Sequence, residues 1–227
     1  MAACAALGMF TASAATNDPD SREILVMGAA GFSHEDIRDV ERVRSVRRAT
    51  ATYRERMTIR HGGADLEASV IAQEGEPTAA LSANAAWPLE TGRFITEADG
   101  VDAKRVAVIG GPVRDRLFGT EATAIGKDIL IGDESFTVKG VLGPHPPFVD
   151  ADLPDDAYIR SAIRVYVPLR TGVESLFRET RPTLLRVFVK DSELIGQTIA
   201  EIRELLVGRH GQAIHLEPAS PRGSPGP

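Results

Sequence analysis

The chain has 227 residues, 43% hydrophobic and 26% charged, which is enough to bury a core in one globular region or two small lobes. A formal net charge of -6 and the shortness of every arginine cluster, such as Arg44, Arg47 and Arg48, argue against a general nucleic-acid binder, which needs a basic face against phosphates. Cys4 stands alone, so an internal disulfide and a multi-cysteine zinc site are both excluded.

In chain order, residues 1–19 form an Ala-rich leader whose first charge is Asp18. The leader is slightly short and weakly apolar for a bilayer span, lacks a positive start, and carries Ala12-Ser13-Ala14 like a cleavage site. Two readings stay open: a degenerate export signal, or the outer end of a membrane helix. Residues 24–27 then read as a short strand. Ser33, with Asp36 three positions on, begins a helix with a capping-box pattern and with Ile37, Val40 and Val43 on one side. A second strand is expected at 46–53, and a hairpin over 57–73 with His61-Gly62-Gly63 at its turn. Pro77, Pro88 and several small residues without period mark a boundary between lobes.

Val106 to Ile109 is a continuous apolar run, as in a strand covered on both faces. Pro112 suits the first turn of a following helix, and Gly119 its end in a left-handed conformation. Residues 129–131 and 136–142 flank Gly132-Asp133-Glu134 as a hairpin, with Phe136, Val138 and Leu142 on one face. Residues 143–162 are a long loop rich in proline and acid, followed by strands at 165–169 and 184–189. Ile195, Ile199, Ile202 and Leu206 recur at helical spacing, so 192–207 is an amphipathic helix closed by His210 and Gly211, with a strand at 213–216. Residues 218–227 read as a disordered tail. Strand-helix-strand near the start is echoed near the end, which suits a split α+β lobe carrying an inserted second lobe.

Three fragments imitate chemistry and fail on spacing. Val106 to Gly111 resembles the opening of a dinucleotide fold, but Gly110 and Gly111 are adjacent and G-x-G-x-x-G is absent. Gly126-Lys127 resembles a phosphate loop, but Asp128 stands where a hydroxyl would hold magnesium and Glu121 where the first glycine would be. Asp150, Asp152, Asp155 and Asp156 are interrupted by Pro154 and lack the glycine and glutamate of a calcium loop. His34, His61, His145, His210 and His215 are scattered, and no serine sits in a nucleophile turn. The expectation is a non-catalytic chain with no cofactor and no metal. Phe148, in its proline-bounded loop, with Asp150 and Asp152 beside it, is the candidate partner contact.

Gly92-Arg93-Phe94, the turn around Asp99, Val106 to Gly110, Leu117-Phe118-Gly119, Ile125-Gly126-Lys127, Phe136 to Leu142, Tyr166-Val167-Pro168-Leu169 and Arg209-His210-Gly211 follow one another in an order that resembles the periplasmic core domain of MacB-like ABC transporter permeases. The resemblance covers roughly residues 20–217 and implies an α+β fold: a porter-like lobe of 20–82 and 163–217, and an inserted, mostly β lobe of 83–162. It implies a place on the periplasmic face of the inner membrane, with an ABC ATPase subunit and permease transmembrane segments as partners, and a periplasmic adaptor protein or a second permease copy as further ones. ATP hydrolysis would reside on a separate subunit or domain, and no nucleic acid is involved. The alternative is a stand-alone periplasmic binding module without transport activity.

Overall fold

Sixteen consecutive residues, Val46–His61, form one strand, β2, around which the sheet is organised. Two strands were expected here, one at 46–53 and the first arm of a hairpin from 57, with Arg54, Glu55 and Arg56 between them. Their backbone is nonetheless taken up by the next strand, with Arg54 opposite Ile71, Glu55 opposite Val70 and Arg56 opposite Ser69, so the ladder runs through them. The computed structural model describes residues 22–74, 89–119, 123–143, 163–211 and 213–219. Its elements are β1 (Glu23–Gly28), α1 (His34–Arg42), β2, β3 (Ala64–Gln73), β4 (Leu89–Gly92), α2 (Glu97–Val101), β5 (Val106–Gly110), α3 (Gly111–Phe118), β6 (Asp128–Ile131), β7 (Glu134–Leu142), β8 (Arg164–Pro168), α4 (Leu169–Ser175), β9 (Leu184–Val189), a 3-10 turn (Ser192–Leu194), α5 (Ile195–His210) and β10 (Ile214–Pro218).

The N-terminal half of β2 belongs to an antiparallel sheet in the order β10-β1-β9-β2. Strand-helix-strand at each end of the chain, interleaved in this way, is the split βαβ arrangement. Helix α1 packs on β2, and α5 packs on β1, β10 and α1. The apolar stripe of α5 explains its seat: Ile202 and Leu206 are buried, with Ile195 and Ile199 packed at the margin.

The C-terminal half of β2 belongs to a closed ring. It pairs β3, β3 pairs β8 in parallel, β8 pairs β5, β5 pairs β7 in parallel, β7 pairs β6, and β6 returns to β2 at Ile59 and Arg60. Closure leaves those strands without open edges. Ile59, Val70, Ala107, Ile109, Phe136, Val138 and Val165 share a core continuous with that of the other half. Leu142 does not join Phe136 and Val138 there. The register slips by one residue between Ala107 and Val108 against β7, so Val141 takes the inner position and Leu142 joins Ile71, Ile95, Val108 and Tyr166 in a second cluster.

Each half contains a helix that begins on a buried aspartate. In α1, Ser33 is the N-cap: its hydroxyl accepts from the Asp36 N–H at 3.1 Å, and the Asp36 carboxylate accepts from the Ser33 N–H at 2.7 Å. The same carboxylate accepts from Arg209 at 2.9 Å and lies 3.1 Å from the His210 ring nitrogen, both at the end of α5. In α2, Thr96 and Asp99 repeat the reciprocal pair, and Arg93 grips Asp99 with two bonds of 2.6 and 3.0 Å. Burial alone would raise the Asp36 carboxyl, but the bonds from Ser33, Arg209 and His210 outweigh it and hold the group well below the usual carboxylate range. Asp99 is held equally low, chiefly by Arg93, against its burial.

Two glycines require their backbone. Gly92, at φ 83°, lets β4 lie against β7 so closely that a Cβ would come within 2.2 Å of the Lys139 carbonyl oxygen. Gly119 caps α3 with φ 87° and ψ 158°, beyond the left-handed helical region expected for it and in a region glycine alone occupies readily.

Candidate functional site

The sheet forks at Tyr53. From Tyr53 onward β2 is paired to β3, beginning with Tyr53 opposite Ala72, while from Val46 to Thr52 it is paired to β9 on its other edge. The edge that β3 covers in the ring is therefore without a strand at 48–52 among the described residues. A groove of about 810 Å³ runs along it, within the size range of small-ligand sites.

The walls come from five elements. Arg48, Ala49, Thr50 and Ala51 of β2 line the groove consecutively, and Arg186 and Phe188 of β9 continue that side. His34 and Ile37 of α1 stand at one end; Glu97, Gly100 and Val101 of α2 and Leu169, Arg170 and Val173 of α4 form the opposite wall. That wall is tied together by Arg170 donating to the Val101 carbonyl at 3.0 Å and by the Thr171 hydroxyl donating to the Lys104 carbonyl at 3.0 Å. Helix α4 can sit down on β3 because residue 172 is glycine: a Cβ there would lie 2.4 Å from the Ala72 Cβ.

The floor is polar and unsatisfied. Gln73 is 1% exposed, yet neither its amide nitrogen nor its amide oxygen has a hydrogen-bond partner, and the Thr50 hydroxyl, 5% exposed, has none either. A buried polar group left in this way costs about 1–3 kcal/mol, and these atoms are closed to solvent. Three ion pairs lie at the rim, Arg48 with Glu74 at 2.9 Å, Arg170 with Glu174 at 2.9 Å, and Arg186 with Glu23 at 2.5 Å, while Glu97 on the opposite wall has no ion-pair partner among the described residues. Arg48 and Arg186 also stack on the Phe188 ring, 4.8 and 5.3 Å from its centre. Val101 is 64% exposed at the lip, one of two large hydrophobic side chains so exposed among the described residues.

The candidate contact residues Phe148, Asp150 and Asp152 lie outside the described residues. The glycines that imitate nucleotide motifs serve local structure: Gly110 is the N-cap of α3 and Gly126 donates to the Val138 carbonyl at 2.8 Å ahead of β6. The groove itself was missed by sequence reasoning. Its one sequence signal is Gln73, a carboxamide ending the otherwise apolar run Val70-Ile71-Ala72. No helix among the described residues is long and apolar enough to cross a membrane.

The sequence model of the MacB-like periplasmic core domain matches residues 1–205. The macrolide export ATP-binding/permease protein MacB of Wolinella succinogenes is 29% identical over 187 residues, covering 80% of this chain and 27% of that protein. The pyoverdine export ATP-binding/permease protein PvdT of Pseudomonas syringae pv. tomato is 35% identical over 124 residues, covering 55% of this chain and 18% of that protein. The chain thus spans about a quarter or less of the length of these curated relatives. Two solved structures share its fold: the periplasmic region of MacB from Actinobacillus actinomycetemcomitans, with TM-score 0.63 and 15% identity over 88% of this chain and 90% of that one, and the extracellular domain of the transporter YknZ from Gram-positive bacteria, with TM-score 0.61 and 21% identity over 86% of this chain and 99% of that one.

Proposed function

This chain belongs to the family of MacB-like periplasmic core domains, and from that premise we propose that it acts as the extracytoplasmic part of an ABC transporter permease, coupling ATPase-driven motion to engagement of a substrate or an adaptor protein. The observation that carries the reading is the family match over residues 1–205, which takes in every strand of the closed ring and all of the split βαβ sheet except β10. ATP hydrolysis belongs, in this reading, to another subunit or domain, as the names of the ATP-binding/permease relatives suggest. In this reading the lobes are a porter-like one of 20–82 and 163–217 and an inserted one of 83–162, and β2, within the first, meets the second where Ile59 and Arg60 pair with β6. The groove at the fork lies where such motion would change its width.

The test is made in the native host. Cells carrying a tagged copy of the gene are converted to spheroplasts and treated with protease, and solubilised membranes are captured on the tag. The expected result is cleavage from the outer side and co-purification of an ABC ATPase. A product found free in the cytoplasm sinks the reading.

A further inference from the structure

We propose that the closed ring has one releasable joint, the seam between β2 and β6, which Arg60 and His61 clasp and which parts while the rest of the fold holds. Divided by lobe, the ring is two sheets, β2-β3-β8 and β5-β7-β6, joined at two seams. Within the first sheet the ladders are long: nine residues of β2 face β3, and five of β3 face β8. Each seam is a ladder of two pairs. Ile59 lies opposite Ile131 and Arg60 opposite Leu130 at β2–β6, and Val108 lies opposite Tyr166 and Ile109 opposite Val165 at β5–β8.

The two seams differ in what backs them. At β5–β8, Ile109 and Val165 face the main core while Val108 and Tyr166 face the second cluster, so both sides are packed. Two bonds beside that seam also bridge the lobes, from Arg170 to the Val101 carbonyl and from the buried Thr171 hydroxyl to the Lys104 carbonyl. At β2–β6 only the inner side is packed: Ile59 and Ile131 are fully buried, but Arg60 and Leu130 stand exposed to solvent. Side chains of β2 extend this short ladder at both ends. Beyond Ile131 the Gly132 N–H donates to the Thr58 carbonyl at 3.1 Å, and Arg60 donates to the Gly132 carbonyl at 2.6 Å and to Asp133 at 3.0 Å. At the other end the His61 Nδ1–H donates to the Asp128 carbonyl at 2.7 Å, since a carbonyl only accepts, and the ring lies 4.2 Å from that of Phe118. Arg116 of α3 adds a longer bond of 3.4 Å to the Asp65 carbonyl. Water replaces a lost partner at such exposed bonds, so their release costs little, whereas the buried Thr171 bond has no such substitute. Parting uncovers Ile59 and Ile131, which keeps the open form a minor one. The joint gives the motion invoked above a place to separate the lobes, and it rests on that reading for its biological meaning only. It is tested on the purified chain without membrane or ATPase, so its failure leaves the location test untouched.

Hydrogen exchange of the isotope-labelled full chain is followed amide by amide in low denaturant, each rate taken relative to its intrinsic value. Alternation along an antiparallel ladder puts the amides of Arg60, Leu130 and Gly132 across the β2–β6 seam. They are expected to exchange at least tenfold faster than Val108 and Tyr166 at the other seam, or than Met57 and Ala68 between β2 and β3. Arg60→Ala, and His61→Phe, which keeps a ring on Phe118 but loses the donor, should each speed the β2–β6 amides about fivefold and leave the reference amides within about twofold. A cross-link gives the converse. In a Cys4→Ser chain carrying Arg60→Cys and Leu130→Cys, which face each other across the seam, oxidation should slow Gly132 at least tenfold against the reduced form. Seam amides as slow as the reference amides, a speeding in both variants that spreads evenly to the reference amides, or a cross-link that leaves Gly132 as fast as in the reduced form would each overturn the proposal.

Discussion

The two halves of the molecule start a helix with the same device and use it for different ends. At α2 the clamp on Asp99 is Arg93, six positions away, so the pair staples one turn to the strand leading into it. At α1 the clamp on Asp36 is Arg209, 173 positions away, so the same box fastens the first strand-helix-strand unit to the last. Identical local chemistry thus serves as a local staple in the ring and as a long-range tie in the split sheet. What separates them is only the origin of the arginine.

Four changes break or sharpen this contrast, from the largest effect to the smallest. Asp36→Ala removes an N-cap partner, takes from His210 its carboxylate and leaves Arg209 with only Asp39 and Glu35, and should cost about 3 kcal/mol by denaturant melting, with faster hydrogen exchange in both α1 and α5. Asp99→Ala should cost about 2 kcal/mol, with the exchange change confined to the neighbourhood of α2; spread into α5 would abolish the distinction. Ser33→Ala and Thr96→Ala each lose one cap bond, and each should cost about 1 kcal/mol. Arg209→Lys and Arg93→Lys keep the charge but lose the fork, so each should lower the melting temperature by less than its aspartate variant does, and only the first should loosen α5.

Acid sharpens the comparison further. Both aspartates titrate lower in the folded chain than in the unfolded chain, so the unfolded chain binds protons first as pH falls. Their stabilisation is complete above the unfolded carboxylate value of about 4 and drains away as pH drops below it. Asp36→Asn and Asp99→Asn should each flatten that acid limb when stability is measured between pH 5 and pH 2. An unchanged slope in either variant would show that its carboxylate is not held as the geometry implies.

Much of this arrangement was legible in the residues. Ser33 with Asp36 announced a capping box, Pro112 and Gly119 bracketed α3, and Gly132-Asp133 marked a turn, because caps and turns depend on residues within three or four positions of one another. The break left at 54–56 was wrong, since ladder bonds to β3 carry the strand through those charged residues, and Leu142 was misplaced because the register slip that moves it lies in the pairing with β5. The groove was illegible for the same reason. Gln73 and Thr50 lie 23 positions apart in sequence and line one groove only because β3 leaves β2 at Tyr53.

The sequence by itself determined many of the elements, the capping box of Ser33 and Asp36, the failure of the nucleotide-like and phosphate-like fragments to match their spacings, and the family to which the order of those pieces belongs. Each depends on spacing within a short stretch of chain. Tertiary structure alone decided that β2 is one strand shared by a split sheet and a closed ring, that Asp36 is held by Arg209 from the far end of the chain, and that β2 has no strand beside it on one edge at 48–52 among the described residues. Those features depend on strand register and on partners more than a hundred residues apart, which no local pattern encodes.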